Sequence, residues 1–107
     1  MHSPAQPAKL SYIDGAVIAR VPLINKRGLH ARASAKFISC AVTYDAHITV
    51  TSHSDHAETV VADSIMELLM LGSACGEDIT ICATGVEAQA AVQSLCALIH
   101  ERFGEDE

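Results

Sequence analysis

The apolar residues of this chain recur with two different periods, and the alternation of these periods limits the folds that it can form. Every second residue is apolar from Val17 to Leu23, and the same period returns at 48–51 and 79–83. A period of two is typical of a strand with one buried face. In the segment that follows Ala31, apolar residues such as Ala33 and Phe37 fall at helical spacing. The chain therefore mixes strands with amphipathic helices.

Local signals at the ends of these segments define the element order. Ser64 with Glu67, and Thr84 with Glu87, fit the capping-box pattern that opens a helix, and Gly72 is placed to end the first of these two helices. The predicted order is strand, helix, strand, strand, helix, strand, helix. Because each helix has one apolar side, we predict an α+β open-faced sandwich with a four-stranded, mostly antiparallel sheet and three helices on one face.

Length and charge narrow the possible functions. The 107 residues have room for one domain, which we place at 15–107 after a flexible leader at 1–14. No apolar run is long enough to cross a bilayer or to act as a signal peptide, so we expect a cytoplasmic protein without membrane contact. The net charge is −6 and the 7 Lys and Arg residues are spread along the sequence, which argues against a nucleic-acid partner.

Neither the cysteines nor the histidines complete a metal site. The 4 cysteines include no C-x-x-C pair, and we expect reduced thiols packed in the core. His53, Asp55 and His56 are three potential ligands within a short segment, but a polar hairpin turn explains the same composition. We therefore predict no metal and no cofactor. A small metal hydrolase built on these residues remains an alternative, although no further spacing completes its site.

The chemistry of the chain is concentrated at His30. A histidine imidazole can be neutral and nucleophilic near pH 7, which suits a group that must accept a phosphoryl group. The free N–H groups of a helix that begins near Ala31 favour an anion at this position, and the guanidinium of Arg32 offers a forked donor to phosphate oxygens. A histidine that only caps the helix, beside a solvated arginine, is the simpler alternative. These residue types together suit a phosphoryl acceptor.

Residues 25–34, Asn-Lys-Arg-Gly-Leu-His-Ala-Arg-Ala-Ser, closely resemble the active-site loop of the HPr family, the histidine-containing phosphocarriers of the phosphoenolpyruvate-dependent phosphotransferase system. The resemblance extends over about residues 16–103 and includes Ser64-Ile65-Met66. The chain departs from the family in Ala33, where a proline is usual, and in a longer turn at 53–56. Ala33 and Asp63 are similar to forms from the nitrogen-related or regulatory branch.

The resemblance implies a role for each matching residue. His30 accepts a phosphoryl group on Nδ1 from phospho-Enzyme I and passes it to a IIA-type acceptor, and Arg32 stabilises the phosphate. Ser64, which also suits a helix cap, is the site that a dedicated HPr serine kinase phosphorylates. The implied partner surface is the set Gly28, Leu29, Ile65, Met66 and Leu69.

The expected protein is a monomeric phosphoryl carrier and not an autonomous enzyme. The alternative from another functional class is an HPr-like regulatory binding module, controlled through Ser64, that no longer relays phosphate. Retention of His30 and Arg32 speaks against that alternative.

Overall fold

Three helices and a five-stranded sheet make up residues 9–53 and 57–107, the part of the chain that the computed structural model describes. The strands are β1 (Ser11–Ile13), β2 (Ala16–Pro22), β3 (His47–Ser52), β4 (Thr59–Val61) and β5 (Asp78–Thr84). The helices are α1 (Ala31–Ala41), α2 (Ile65–Leu71) and α3 (Ala88–His100), and a short 3₁₀ turn follows at Arg102–Gly104. In these ranges no helix has the length and apolar character needed to cross a membrane.

The sheet has the strand order β1-β2-β5-β3-β4, and every neighbouring pair is antiparallel. Its register aligns the buried residues of β2, β5 and β3 on one face, for example Ala19, Ile81 and Val50 in one row. The other face carries exposed or half-buried residues, including Thr51 and Thr59, whose hydroxyls lie 2.7 Å apart. The sheet is therefore covered on one side, which confirms the predicted α+β open-faced sandwich.

The helices differ in how much apolar surface they bury against the sheet. Helices α1 and α3 each contribute a stripe of buried residues, in which Phe37 and Leu95 are fully buried. Helix α2 buries only Leu68, so most of its other apolar side chains reach the surface. The long helices thus build the core, and α2 provides an apolar surface beside it.

The structure corrects the predicted number of strands and the extent of the leader. We predicted four strands and a flexible segment at 1–14, but Ser11–Ile13 form β1, which pairs with β2. Asp14 and Gly15 connect the two strands, and both have positive φ, as a tight hairpin turn requires. Three residues are too few to show a period, which is why the sequence did not predict β1. Residues 1–8 of the predicted leader lie outside the described part.

The capping box predicted at Thr84 is also wrong. Helix α3 begins at Ala88 with Glu87 as its N-cap, and Glu87 makes no side-chain cap bond. Its carboxylate instead accepts a hydrogen bond from the backbone N–H of Asp45 at 2.7 Å. A contact between distant loops has replaced the local cap.

Candidate functional site

The loop that leads into α1 packs tightly on the residues that follow α2. The N–H of Leu29 donates to the carbonyl of Ser73 at 3.0 Å, and the N–H of Gly28 closes a turn on the carbonyl of Asn25 at 3.1 Å. Gly28 has φ +62°, and a Cβ there would lie 2.5 Å from the Ser73 oxygen. Gly28 and Leu29 are both buried, which does not favour the direct partner contact that we predicted for them.

Gly28→Ala is expected to destabilise the fold by about 3 kcal/mol, because the left-handed backbone and the clash with a backbone carbonyl both oppose a side chain. Gly76→Ala is the matched control, since Gly76 also has positive φ but nothing within 4 Å of its added Cβ. It should cost about 1 kcal/mol. Urea unfolding of the two variants measures the difference, and equal costs would contradict the close approach at Gly28.

His30 is the N-cap residue of α1, but its side chain does not act as a cap. Its backbone is extended, its ring makes no cap hydrogen bond, and its carbonyl accepts the helical N–H of Ser34 at 2.9 Å. The preceding N–H groups of the first turn have no acceptor within the helix. The simpler alternative of a capping histidine therefore does not hold, and His30 directly precedes the free N–H groups at the start of α1.

A carboxylate from the end of the chain contacts this ring. Nε2 of His30 lies 2.5 Å from Oε2 of Glu105, and the two side chains are 21% and 12% exposed. The other oxygen, Oε1 of Glu105, accepts a hydrogen bond from the side-chain amide of Asn25 at 3.1 Å. That amide also donates to the carbonyl of Gly28 at 2.8 Å, and Asn25 itself is buried. The loop, the start of α1 and the chain end thus meet at His30.

The surroundings of Glu105 favour its ionised form. Burial raises its pKa, but hydrogen bonds from Asn25 and His30, the positive charge of Arg32, and the charge that His30 carries when protonated act in the opposite direction. The net result is a pKa below the ordinary value. The contact of the ionised carboxylate therefore stabilises the fold at pH values above the ordinary pKa. This contribution is lost as the pH falls through the lower pKa of the folded state.

Around His30 the fold forms an open cleft of about 420 Å³ that is lined by side chains of both charges. Its residues are Lys26, Arg27, His30, Arg32, Lys36, Gly104, Glu105, Asp106 and Glu107. Four of the 7 Lys and Arg residues of the sequence are in this set, and all four lie within residues 26–36, so the basic residues are more clustered than we inferred from the sequence. Positive charge is therefore concentrated around the predicted phosphoryl acceptor, by the loop and helix that flank it in the sequence.

The cationic side chains of the cleft differ in the contacts that they make with the protein. Lys26 pairs with the side chain of Glu107 at 3.1 Å, and Lys36 donates to the carbonyl of Phe103 at 2.5 Å. Arg32 is exposed, and no ion pair involves it among the residues that the structure describes. Its guanidinium is thus available to an anion that enters the cleft.

The N-terminus of α2 is capped as predicted. Ser64 has an extended backbone, and its hydroxyl accepts the N–H of Glu67 at 3.3 Å. Gly72 ends the helix in the left-handed conformation, with φ +63°. Ser64 therefore has a structural role in α2.

Ser64→Ala is expected to cost about 1 kcal/mol of stability because it removes this cap. Ser64→Asp should cost less, since a carboxylate oxygen also accepts at this position and its charge favours a helix N-terminus. Thermal unfolding of the two variants provides the comparison. A greater loss for the aspartate variant would contradict the capping role.

The exposed side of α2 is apolar. Ile65 and Met66 of the predicted partner surface are exposed, and Leu69 is half-buried. Met70, which we did not predict, is 74% exposed, whereas Met66 is 65% exposed. The two methionines are four residues apart and share a helix side, a spacing that could have identified Met70 from the sequence. Since the loop after α2 contacts Leu29, the end of this apolar surface lies near the His30 loop.

The described residues contain no group of three His, Cys, Asp or Glu side chains that could hold a metal. His53 contacts the hydroxyl of Thr80 at 2.5 Å, while Asp55 and His56 lie outside the described residues. All four cysteines are free thiols, but only Cys96 is fully in the core. Burial raises the pKa of the Cys96 thiol to about 11, whereas Cys75 is exposed, contrary to the prediction of four core thiols.

Known proteins resemble this chain over most of its length. The family model PTS-HPr, described as the PTS HPr component phosphorylation site, matches residues 18–101. A phosphocarrier protein NPr of Shewanella violacea is 40% identical over 80% of this chain and 91% of the relative. A phosphocarrier protein HPr of Cupriavidus necator is 41% identical over 79% of this chain and 92% of the relative.

Similarity extends to solved structures. The crystal structure of HPr-C-His from Thermoanaerobacter tengcongensis superimposes with a TM-score of 0.76 and 33% identity. The match covers 84% of this chain and 98% of that one.

Proposed function

Because the chain belongs to the HPr family and is a phosphocarrier of the phosphotransferase system, we propose that His30 is the residue that carries the phosphoryl group. It receives this group from phospho-Enzyme I and passes it to a IIA-type acceptor. The observation that carries the proposal is the position of His30, at the start of α1 in the cleft where the basic side chains meet. The chain then acts as a carrier and not as an enzyme with its own substrate, with the cytoplasm as the expected compartment.

Transfer at this site requires an attacking nitrogen and donors for the phosphoryl oxygens. Nδ1 of His30 attacks phosphorus, the new N–P bond forms as the bond to the donor breaks, and the departing electron pair returns to the donor. The negative charge on the transferred oxygens is stabilised by the free N–H groups at the start of α1 and by the Arg32 guanidinium. The helix fixes its first N–H groups before transfer, so these donors need little reorganisation.

The apolar side of α2 is the proposed docking surface for Enzyme I and for the acceptor. It consists of Ile65, Met66, Leu69 and Met70. A flexible, polarisable methionine side chain adapts to different partners, which suits a carrier that must bind a donor and an acceptor in turn. Gly28 and Leu29 contribute by shaping the loop beneath His30 and not by direct contact.

Ser64 is proposed as a regulatory site for an HPr serine kinase. A phosphate there would gain from the N-terminus of α2 but would be repelled by Asp63 and Glu67. It would also place negative charge at the edge of the docking surface and so weaken partner binding. We expect the carrier to act as a monomer. The regulatory module without phosphate relay is not adopted, because it leaves His30 and the cationic cleft without a role.

The decisive experiment is incubation of the full chain with phosphoenolpyruvate and Enzyme I, followed by mass measurement of the intact protein and of its peptides. We expect one added phosphoryl group on the peptide that contains His30. The adduct should be labile in acid and stable in base, as a phosphohistidine is. A phosphoryl group on another residue, or none, would refute the proposal.

A further inference from the structure

The last residues of the chain turn back onto the start of α1. After α3, Arg102 and Phe103 adopt positive φ values of 57° and 56°, which reverses the chain. Phe103 is fully buried and anchors this reversal in the core. The N–H of Lys26 then donates to the carbonyl of Glu107 at 2.9 Å. The segment that carries Glu105 is therefore held on both sides, by Phe103 in the core and by the bond between Glu107 and Lys26.

From this geometry we infer that Glu105 is a positioning residue for phosphoryl transfer, which holds the proton on Nε2 of His30 and leaves the Nδ1 lone pair free to attack. The inference rests on the proposed role of His30. It concerns a side chain that is 75 residues away in the sequence.

The chemistry of the two side chains determines which nitrogen carries the proton. A neutral imidazole has one N–H donor and one acceptor nitrogen, whereas an ionised carboxylate only accepts. With Glu105 ionised and 2.5 Å from Nε2, the stable arrangement has the proton on Nε2. Nδ1 is then the acceptor nitrogen and the nucleophile.

Asn25 makes the arrangement rigid. Its buried amide group binds Oε1 of Glu105, so Oε2 is directed at the imidazole. Because the same amide group holds the Gly28 carbonyl, the carboxylate is tied to the loop that precedes His30. The ring orientation is thus set by the Glu105 carboxylate, which Asn25 holds in place.

The carboxylate also has a role during transfer. As Nδ1 gives its electron pair to phosphorus, the ring becomes positively charged while the proton stays on Nε2. The negative charge of Glu105 stabilises this charged ring, and the same contact operates in reverse when the phosphoryl group leaves for the acceptor. The carboxylate lies at the other ring nitrogen, so the incoming phosphoryl group does not displace it.

The protonation state of His30 is measured directly by ¹⁵N NMR of the imidazole in the unphosphorylated full chain at neutral pH. In the wild type we expect the Nδ1 shift of an unprotonated nitrogen and the Nε2 shift of a protonated one. Glu105→Gln should shift both toward a mixture of the two tautomers, because an amide can donate as well as accept. The matched control is Asp106→Asn, which removes one negative charge from a neighbouring residue that also lines the cleft.

The functional measurement is the rate of phosphoryl acceptance from phospho-Enzyme I. Glu105→Gln should lower this rate about tenfold, the size expected when one charge-assisted hydrogen bond is lost, and Asp106→Asn should leave it near the wild-type value. The inference would be overturned if Glu105→Gln had the wild-type NMR shifts and the wild-type rate. Equal changes in the two variants would also overturn it, because they would indicate a general effect of charge. If the wild type itself accepts no phosphoryl group, the proposed function fails, and the NMR shifts still decide whether Glu105 positions the ring.

Discussion

Replacement of His30 by alanine is expected to abolish phosphoryl acceptance and to leave the fold intact. The ring provides the only proposed attacking nitrogen, so its removal eliminates the step and does not merely slow it. The cost to folding should be small, because His30 makes no cap hydrogen bond and the Glu105 contact is the one side-chain bond of its ring within the described residues. Mass measurement after incubation with Enzyme I gives the first result, and far-ultraviolet circular dichroism the second.

His47→Ala is the control, since His47 is exposed at the start of β3, outside the cleft. This variant should accept one phosphoryl group at the wild-type rate. An acid-labile adduct on His30→Ala would mean that another side chain is the acceptor. An unfolded His30→Ala variant would contradict the view that the histidine is retained for chemistry and not for packing.

Periodicity was sufficient to predict the layers of this fold. The buried faces of β2, β3 and β5 and the stripes of α1 and α3 follow from local patterns, because a single buried face imposes its period on the sequence. The predictions that failed concern short or non-local features. β1 has only three residues, and the side chain of Glu87 contacts a distant loop instead of its own helix.

In the candidate site, too, local features could be predicted from the sequence and contacts between distant segments could not. His30 and Arg32 are adjacent to a predicted helix start, and their chemistry could be inferred from the loop sequence. The role of Glu105 could not be inferred from the sequence. Its contact with His30 depends on a reversal of the chain at Phe103, in which non-glycine residues adopt positive φ. The bonds of Lys26 and Lys36 to the chain end are non-local contacts of the same kind. The packing of the buried Phe103 ring brings distant segments together. A local sequence pattern does not show which segments these are.

Arg32 provides the second test of the mechanism. Arg32→Ala is expected to slow phosphoryl acceptance about 100-fold, the loss typical when one donor to developing negative charge is removed. Arg32→Lys should slow it about tenfold, because an ammonium group keeps the charge but lacks the planar pair of donors that matches two phosphoryl oxygens. Single-turnover rates with phospho-Enzyme I measure both effects.

Arg27 offers the matched control, since it lines the same cleft and is also exposed. Arg27→Ala removes one positive charge and Arg27→Lys keeps it, and both should leave the rate near the wild-type value if only Arg32 contacts the phosphoryl group. Parallel losses in the two alanine variants would indicate that the cleft acts through its overall positive charge, and that loss should then weaken as salt is added. A loss confined to Arg32 that persists at high salt would instead identify a direct bidentate contact, because short-range hydrogen bonds to a desolvated phosphoryl group are screened far less than the field of the cleft.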